Sequence, residues 1–248
     1  SAAPAPGHLH KAPVVVLHGG SGSWTHWLRM LGPLTQAGHA VWALDLPGFG
    51  ASDPLPHQQD ADDMLPLLAA SLQHWLPGQA LQIMGFSLGG MTAALLAAAY
   101  PALVRQLVLV GPPGLGLRDK PLYRLKGWRH LADSVEQLRC HQYNLAALML
   151  ADARQIDRAT LALHTANVQR DRLPRRRLAS TDILRQTLPR IACPVQAVYG
   201  QEDVLYRGLW PQVAACFGGR LQLIAGAGHW VQYEQPGVFA EAVLPMLL

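Results

Sequence analysis

The sequence predicts an α/β fold: a mostly parallel, twisted sheet of about six or seven strands, helices on both faces and a helical insertion. Three observations carry this. Six short apolar runs recur, each closed by turn residues: PVVVLHGG (13–20), AVWALDLPGFG (40–50), ALQIMGFS (80–87), QLVLVGPPG (106–114), PVQAVYG (194–200) and LQLIAGAGH (221–229). Continuous runs without alternation fit strands buried on both faces. Helix-length segments lie between them, at 23–37, 60–75, 88–100 and 206–217, with a closing helix over 234–248. Strands alternating with helices build βαβ units and a parallel sheet. Between 112 and 190 the strand rhythm stops, and tryptophans, arginines and helix-favouring stretches such as HQYNLAALMLADA (141–153) take over. Residues 1–111 and 191–248 therefore read as the core domain, and 112–190 as a helical cap over the rim of the sheet. About a dozen residues precede the first buried run, too few for a leading hairpin, so the N-terminal edge of the sheet is expected to be short of at least one strand.

The composition narrows the function classes. With 248 residues, 50% of them hydrophobic, the chain can bury one large core. Only 15% are charged, which speaks against a disordered chain. Net charge is +4, and much of the excess lies in QRDRLPRRR (169–177). Such a run can contact nucleic acid or an anionic substrate, but no aromatic interleaving or nucleic-acid motif accompanies it, so it reads first as a solvated surface segment with no nucleic-acid partner. Cys140, Cys193 and Cys216 are odd in number and far apart, which gives neither a disulfide framework nor a zinc site. Buried free thiols and a reducing, cytoplasmic setting follow. No apolar run reaches the length of a membrane span, and SAAPAPGHLH (1–10) lacks the regions of a signal peptide. The expected partner is a small-molecule substrate, with homo-oligomerisation left open.

In an open parallel sheet, ligands sit beyond the carboxyl ends of the strands. Those ends carry His18-Gly19-Gly20, Asp45, Ser87, Asp203 and His229. Ser87 fits G-x-S-x-G with Gly85 and Gly89, after a predicted strand and before a helix, the context of a nucleophile elbow. The turn is tight enough that flanking side chains would clash, so glycines surround the hydroxyl. A serine needs a base that is itself held in place. His229 in GAGHW and Asp203 in YGQEDVL supply a base and its orienting acid in the order Ser, Asp, His. Glu202 is the neighbouring candidate acid, ranked lower by its spacing from Gly200. His18, Asp45 and Asp53 read as loop and turn formers. Phe86 and Trp230 adjoin catalytic positions and, with Ser21, Trp24 and Trp128, are the candidate substrate contacts. The eleven histidines show no HxxxH or HxH paired with carboxylates, and no glycine loop has phosphate-binding spacing, so no metal or cofactor is expected.

HGG, DLPGFGAS, GFSLGG, GQED and GHW together resemble the α/β-hydrolase superfamily across nearly the whole chain. The resemblance implies an oxyanion hole built from the N–H groups of Leu88 and Gly20. It also implies acyl transfer to water, most simply from a carboxylic ester with a small to medium apolar or aromatic acyl group. That group would face the apolar cap residues Tyr123, Leu125, Trp128, Tyr143, Leu148 and Met149. The HGG loop and GHWVQYEQP (228–236) are also similar to C–C hydrolases of ring-fission products. Here Ser21-Gly22-Ser23-Trp24 replaces their usual Gly-Pro-Gly. Their cap arginine falls at His164, with Arg170 or Arg172 as substitutes. A third reading, a binding protein of the same fold, would be marked by a lost triad member, and none is lost.

Overall fold

A computed structural model describes residues 11–57, 59–118 and 120–247. Among them, six strands form one parallel sheet: β1 (Lys11–Leu17), β2 (His39–Leu44), β3 (Leu81–Phe86), β4 (Val104–Val110), β5 (Val195–Gly200) and β6 (Leu221–Ile224). Their order is β2-β1-β3-β4-β5-β6. The expected shortening of the N-terminal edge bears on residues 1–10, which lie outside the described residues.

Alternation along each strand feeds two apolar layers. Val15, Leu17, Ile83, Leu107 and Leu109 face a layer completed by α2 (Leu65–Trp75), α3 (Leu88–Ala99) and α7 (Trp210–Cys216). Val14, Val16, Met84, Val108 and Val110 face the other, with α1 (Leu28–Gln36) and α9 (Pro236–Val243). Burial on both faces explains why the strands read as unbroken apolar runs. Register also matters to the site. Leu17 lies opposite Leu44 and Gly85, and Phe86 opposite Val110. The strands therefore end together, and the loops after them share one rim.

Between β4 and β5, residues 112–133 run without regular helix or strand among those described. Then come α4 (Ser134–Asn144), one wide helical turn (Leu145–Met149), α5 (Arg158–Gln169) and α6 (Ile183–Thr187). Local chemistry shifts several boundaries from their sequence-based positions. The Asp133 carboxylate caps α4 through the Val135 N–H, so the helix predicted at 141–153 starts earlier and ends at Asn144. The helix predicted over 206–217 begins only at Trp210, after Gly208 with φ 85° and just before Pro211. The closing helix predicted over 234–248 is α9, which starts at Pro236 after a separate short α8 (Val231–Glu234) and ends at Val243. The cysteines are free, Cys140 buried and the other two half-buried. No described helix is long and apolar enough to cross a membrane.

Candidate active site

The turn between β3 and α3 explains the glycines around Ser87. Ser87 sits at φ 51°, ψ −119°, a strained conformation that costs about 1–3 kcal/mol and persists only where its surroundings enforce it. They do so by close approach. A Cβ on Gly85 would lie 2.4 Å from the Gly89 carbonyl oxygen, and one on Gly89 would lie 2.4 Å from that of His18. The Ser87 N–H donates to the Val110 carbonyl at 2.7 Å, pinning the elbow to β4.

Three side chains meet at this rim. The Ser87 hydroxyl lies 2.9 Å from His229 Nε2, and His229 Nδ1 lies 2.8 Å from Asp203 Oδ2. A carboxylate only accepts, so Nδ1 carries the proton and Nε2 is free to accept from the serine. Asp203 is fully buried, and its other oxygen takes the Leu205 N–H at 3.0 Å. Glu202 instead faces Arg207 at 3.4 Å, away from His229. Gly111, at φ 55°, ends β4 beside the pair. A Cβ there would come within 3.2 Å of both Asp203 Oδ2 and His229 Nδ1, so a side chain would press on the Asp203–His229 contact. The backbone N–H groups of Gly20 and Leu88, residues that line the same compartment as Ser87, have no hydrogen-bond partner among the described residues. The Gly19 N–H, by contrast, is held by His26 Nδ1 at 3.2 Å. Chemically, this is a polarised hydroxyl with a proton acceptor and two vacant donors suited to a developing oxyanion.

The sequence profile of the alpha/beta hydrolase fold matches residues 12–138, more than half of the chain. The chain belongs to the α/β-hydrolase fold family. It is 27% identical over 253 residues to the 2-hydroxy-6-oxo-6-phenylhexa-2,4-dienoate hydrolase of Comamonas testosteroni, covering 94% of this chain and 87% of that one. Among solved structures it is similar to an esterase from Rhodococcus sp. ECU1013 (TM-score 0.73, 21% identity, 97% and 91% of the two chains covered). It is also similar to the meta-cleavage product hydrolase of Pseudomonas fluorescens IP01 (TM-score 0.71, 22% identity, 95% and 90% covered). At such identities the likeness to the two solved structures concerns the fold.

The site of this α/β hydrolase opens into two adjoining compartments. One, of about 300 Å³, holds Ser87 and His229 and is walled by Phe86, Leu88, Tyr123, Leu125, Leu148 and Met149. The other, of about 520 Å³, lies between Trp128, His26, His164 and Val168. Gly20, Ser21 and Arg176 border both. Of the predicted contacts, Phe86, Ser21 and Trp128 line this space, and Trp24 and Trp230 do not. Trp24 is solvent-exposed, its N–H tied to Asp45 at 2.7 Å. Trp230 is fully buried, stacked on Tyr233 with ring centroids 3.9 Å apart, and its Nε1–H donates to the His26 carbonyl at 2.9 Å. It braces the loop from behind. Tyr143 likewise faces outward.

Three features escaped the sequence reading. Arg176, from the segment between β4 and β5, is the arginine that reaches the site: its Nε would lie 3.1 Å from a Cβ on Gly20. Arg172 instead donates to the Gly50 and Ser52 carbonyls of the core, and Arg170 is exposed. Most of the arginine-rich run is solvated as expected, with Arg170, Arg172, Arg175 and Arg177 exposed, and Arg176 is the one of its arginines that borders the cavity. Glu234 is the second. Its buried carboxylate accepts the N–H groups of Gly228 at 2.6 Å, Ala151 at 3.1 Å and Asp152 at 2.7 Å, binding the His229 loop to the segment that follows Leu145–Met149. The third is Asp171, paired with Arg176. The only hints in the sequence were the position of Glu234 five residues past His229 and a lone acid inside a basic run.

Buried histidines give the fold an acid sensitivity. Burial pushes His18 and His164 down from 6.5 to about 4, partly opposed at His18 by the Gly19 carbonyl and Asp45. Burial lowers His26 and His141 as well. The unfolded chain takes up these protons near pH 6.5 and the folded chain only near 4. Stability is therefore fully present above 6.5 and is lost as pH falls through that window, by about 3 kcal/mol for His18 and a similar amount for His164. Urea unfolding at pH 7.5 and pH 5 should show a clearly lower midpoint in acid. Equal midpoints would contradict burial of these rings in the neutral form.

Proposed function

We propose that this protein is a serine hydrolase that cleaves a carboxylic ester through an acyl-enzyme. The observation that carries the reading is the unbroken contact series from the Ser87 hydroxyl through His229 to buried Asp203. His229 Nε2 accepts the serine proton as Oγ attacks the ester carbonyl. The negative oxygen of the tetrahedral intermediate is received by the Gly20 and Leu88 N–H groups. The imidazolium, stabilised by Asp203, passes its proton to the leaving alkoxide. Water, deprotonated by the same nitrogen, then releases the acid and restores Ser87. Leu88 opens α3, so the positive end of that helix also faces the developing charge. The apolar walls of the serine compartment fit a small to medium apolar or aromatic acyl group.

A second reading, C–C hydrolysis of a dienoate ring-fission product, draws support from the Comamonas testosteroni relative. Arg176, the arginine of the 169–177 run that borders the serine compartment, is paired with Asp171 through Nη2. Its charge is countered there, but its buried Nε–H has no partner and stays available to a carboxylate, so the ester reading ranks first on the apolar walls of the serine compartment. Purified protein assayed on short p-nitrophenyl esters and on a phenyl dienoate ring-fission product separates the two. Much the higher kcat/KM on the dienoate would overturn the ester reading.

Charge distribution adds a prediction about approach. Residues 112–190 carry 15 Lys and Arg against 7 Asp and Glu, net +8, while the rest of the chain carries 5 against 9, net −4. The cap, which covers the cavity, concentrates positive potential where substrate enters. For an anionic ester such as a p-nitrophenyl hemisuccinate, kcat/KM should fall several-fold between about 0.02 and 0.5 M salt, because screening shortens the reach of that potential. A neutral ester of similar size should change little. An equal response from both would count against steering by the cap.

A further inference from the structure

We propose that Asp171 is a positioning residue for the oxyanion loop: its carboxylate, carried by the cap, clamps the Ser21 hydroxyl and thereby fixes the N–H of Gly20. The inference rests on the reading that Ser87 attacks and that Gly20 receives the developing charge.

The argument begins with two adjacent glycines. Gly19 and Gly20 lack the side chains that would restrict their backbone, so the peptide between them can turn freely unless both flanks are anchored. On one side the core provides the anchor, because His26 Nδ1 accepts the Gly19 N–H at 3.2 Å. The other side has no comparable core contact. Ser21 sits at φ 53°, a left-handed conformation unfavourable for serine, and its hydroxyl donates to Asp171 Oδ2 at 2.6 Å. That is a contact across 150 residues, from the β1 loop to the segment just after α5.

Asp171 is itself held in several ways. Its side chain is only 7% exposed and pairs with Arg176, its Oδ1 takes the Leu173 N–H at 3.2 Å, and its own carbonyl accepts from Arg129 at 3.0 Å. One turn earlier, Asn167 pairs with the Ser23 and Thr25 hydroxyls at 2.8 and 3.0 Å, so the end of α5 and the loop move as one body. A buried carboxylate satisfied this fully is a stiff support. It also makes the oxyanion donor depend on the cap being seated. With the cap displaced, Ser21 loses its acceptor and the Gly20 peptide loses one of its two restraints.

The test compares Ser21→Ala, Asp171→Ala, Asp171→Asn and the double variant Ser21→Ala/Asp171→Ala. The readouts are steady-state turnover of p-nitrophenyl butyrate and the rate of labelling by a fluorophosphonate. Removing an oxyanion donor outright costs about 100- to 1000-fold in kcat, so a donor left in place but loosened should cost about 10- to 100-fold, with KM nearly unchanged. Labelling should slow in parallel, because the phosphonyl oxygen uses the same donors. Asp171→Asn keeps an acceptor for Ser21 and should recover part of the loss. The double variant should be no slower than Asp171→Ala, since both residues act through one contact. Single variants that lose thermal stability but keep wild-type kcat, or single losses that multiply in the double variant, would overturn the proposal. Ser21→Ala removes only a hydroxyl and keeps the test open if Asp171→Ala fails to fold. Should Ser87→Ala abolish turnover while Ser21→Ala and Asp171→Ala match wild type, the positioning role fails and the hydrolase reading stands. Turnover surviving in Ser87→Ala would instead remove the ground on which both rest.

Discussion

Ser87→Ala should lower kcat by about a million-fold on any ester the protein turns over, the scale seen when a triad nucleophile is removed. The size follows from the geometry. Without the hydroxyl, His229 Nε2 has no proton to accept from the protein, and the reaction falls back on direct attack by water. The vacant N–H groups of Gly20 and Leu88 would still stabilise an oxyanion, so a residual rate well above the uncatalysed one should remain. The fold should tolerate the change. The elbow is held by the Ser87 backbone N–H to Val110 and by the close approach of Gly85 and Gly89, none of which uses the hydroxyl. Thermal unfolding should accordingly shift little, and fluorophosphonate labelling should disappear. A variant that keeps a tenth of wild-type turnover would remove Ser87 from the chemistry.

The parts of this site legible in the sequence are those fixed by short-range rules. The elbow is a local collision problem: Gly85 and Gly89 are needed because neighbouring backbone atoms fill the space, so the glycine pattern reports the turn directly. Asp203 and His229 were readable because each follows the end of an apolar run, and parallel strands in register bring such ends to one rim. The parts that were not legible depend on tertiary contacts between segments far apart in the chain. Asp171 meets Ser21 across 150 residues, and no local pattern announces that. Composition described most of the arginine-rich run, whose Arg170, Arg172, Arg175 and Arg177 are exposed, but it could not single out Arg176, which pairs with the buried Asp171 carboxylate. Trp230 lies outside the cavity for another reason. Proximity in sequence to His229 does not fix the direction of a side chain, and Trp230 turns toward Tyr233 and His26 instead of the cavity.

Asp203→Asn should lower kcat by about ten thousand-fold while leaving the structure nearly intact. The substitution keeps the shape, but an amide can present its NH₂ where the carboxylate presented an oxygen. Asp203 Oδ1 takes the Leu205 N–H at 3.0 Å, so the asparagine oxygen is favoured at that position and its NH₂ is turned toward His229. The imidazole then accepts on Nδ1, and its proton moves to Nε2, which can no longer take the serine proton. The positive charge that forms on His229 during attack also loses its buried counter-charge, and Glu202, directed toward Arg207, is not placed to replace it. Because the lost function is proton acceptance, the deficit should shrink as pH is raised and hydroxide takes over the role of base. Substrate binding should be nearly unaffected, since Asp203 is fully buried behind His229 and has no contact with the cavity. A variant within tenfold of wild type at neutral pH would mean that another group orients His229, and the roles proposed for all three side chains would then have to be redrawn.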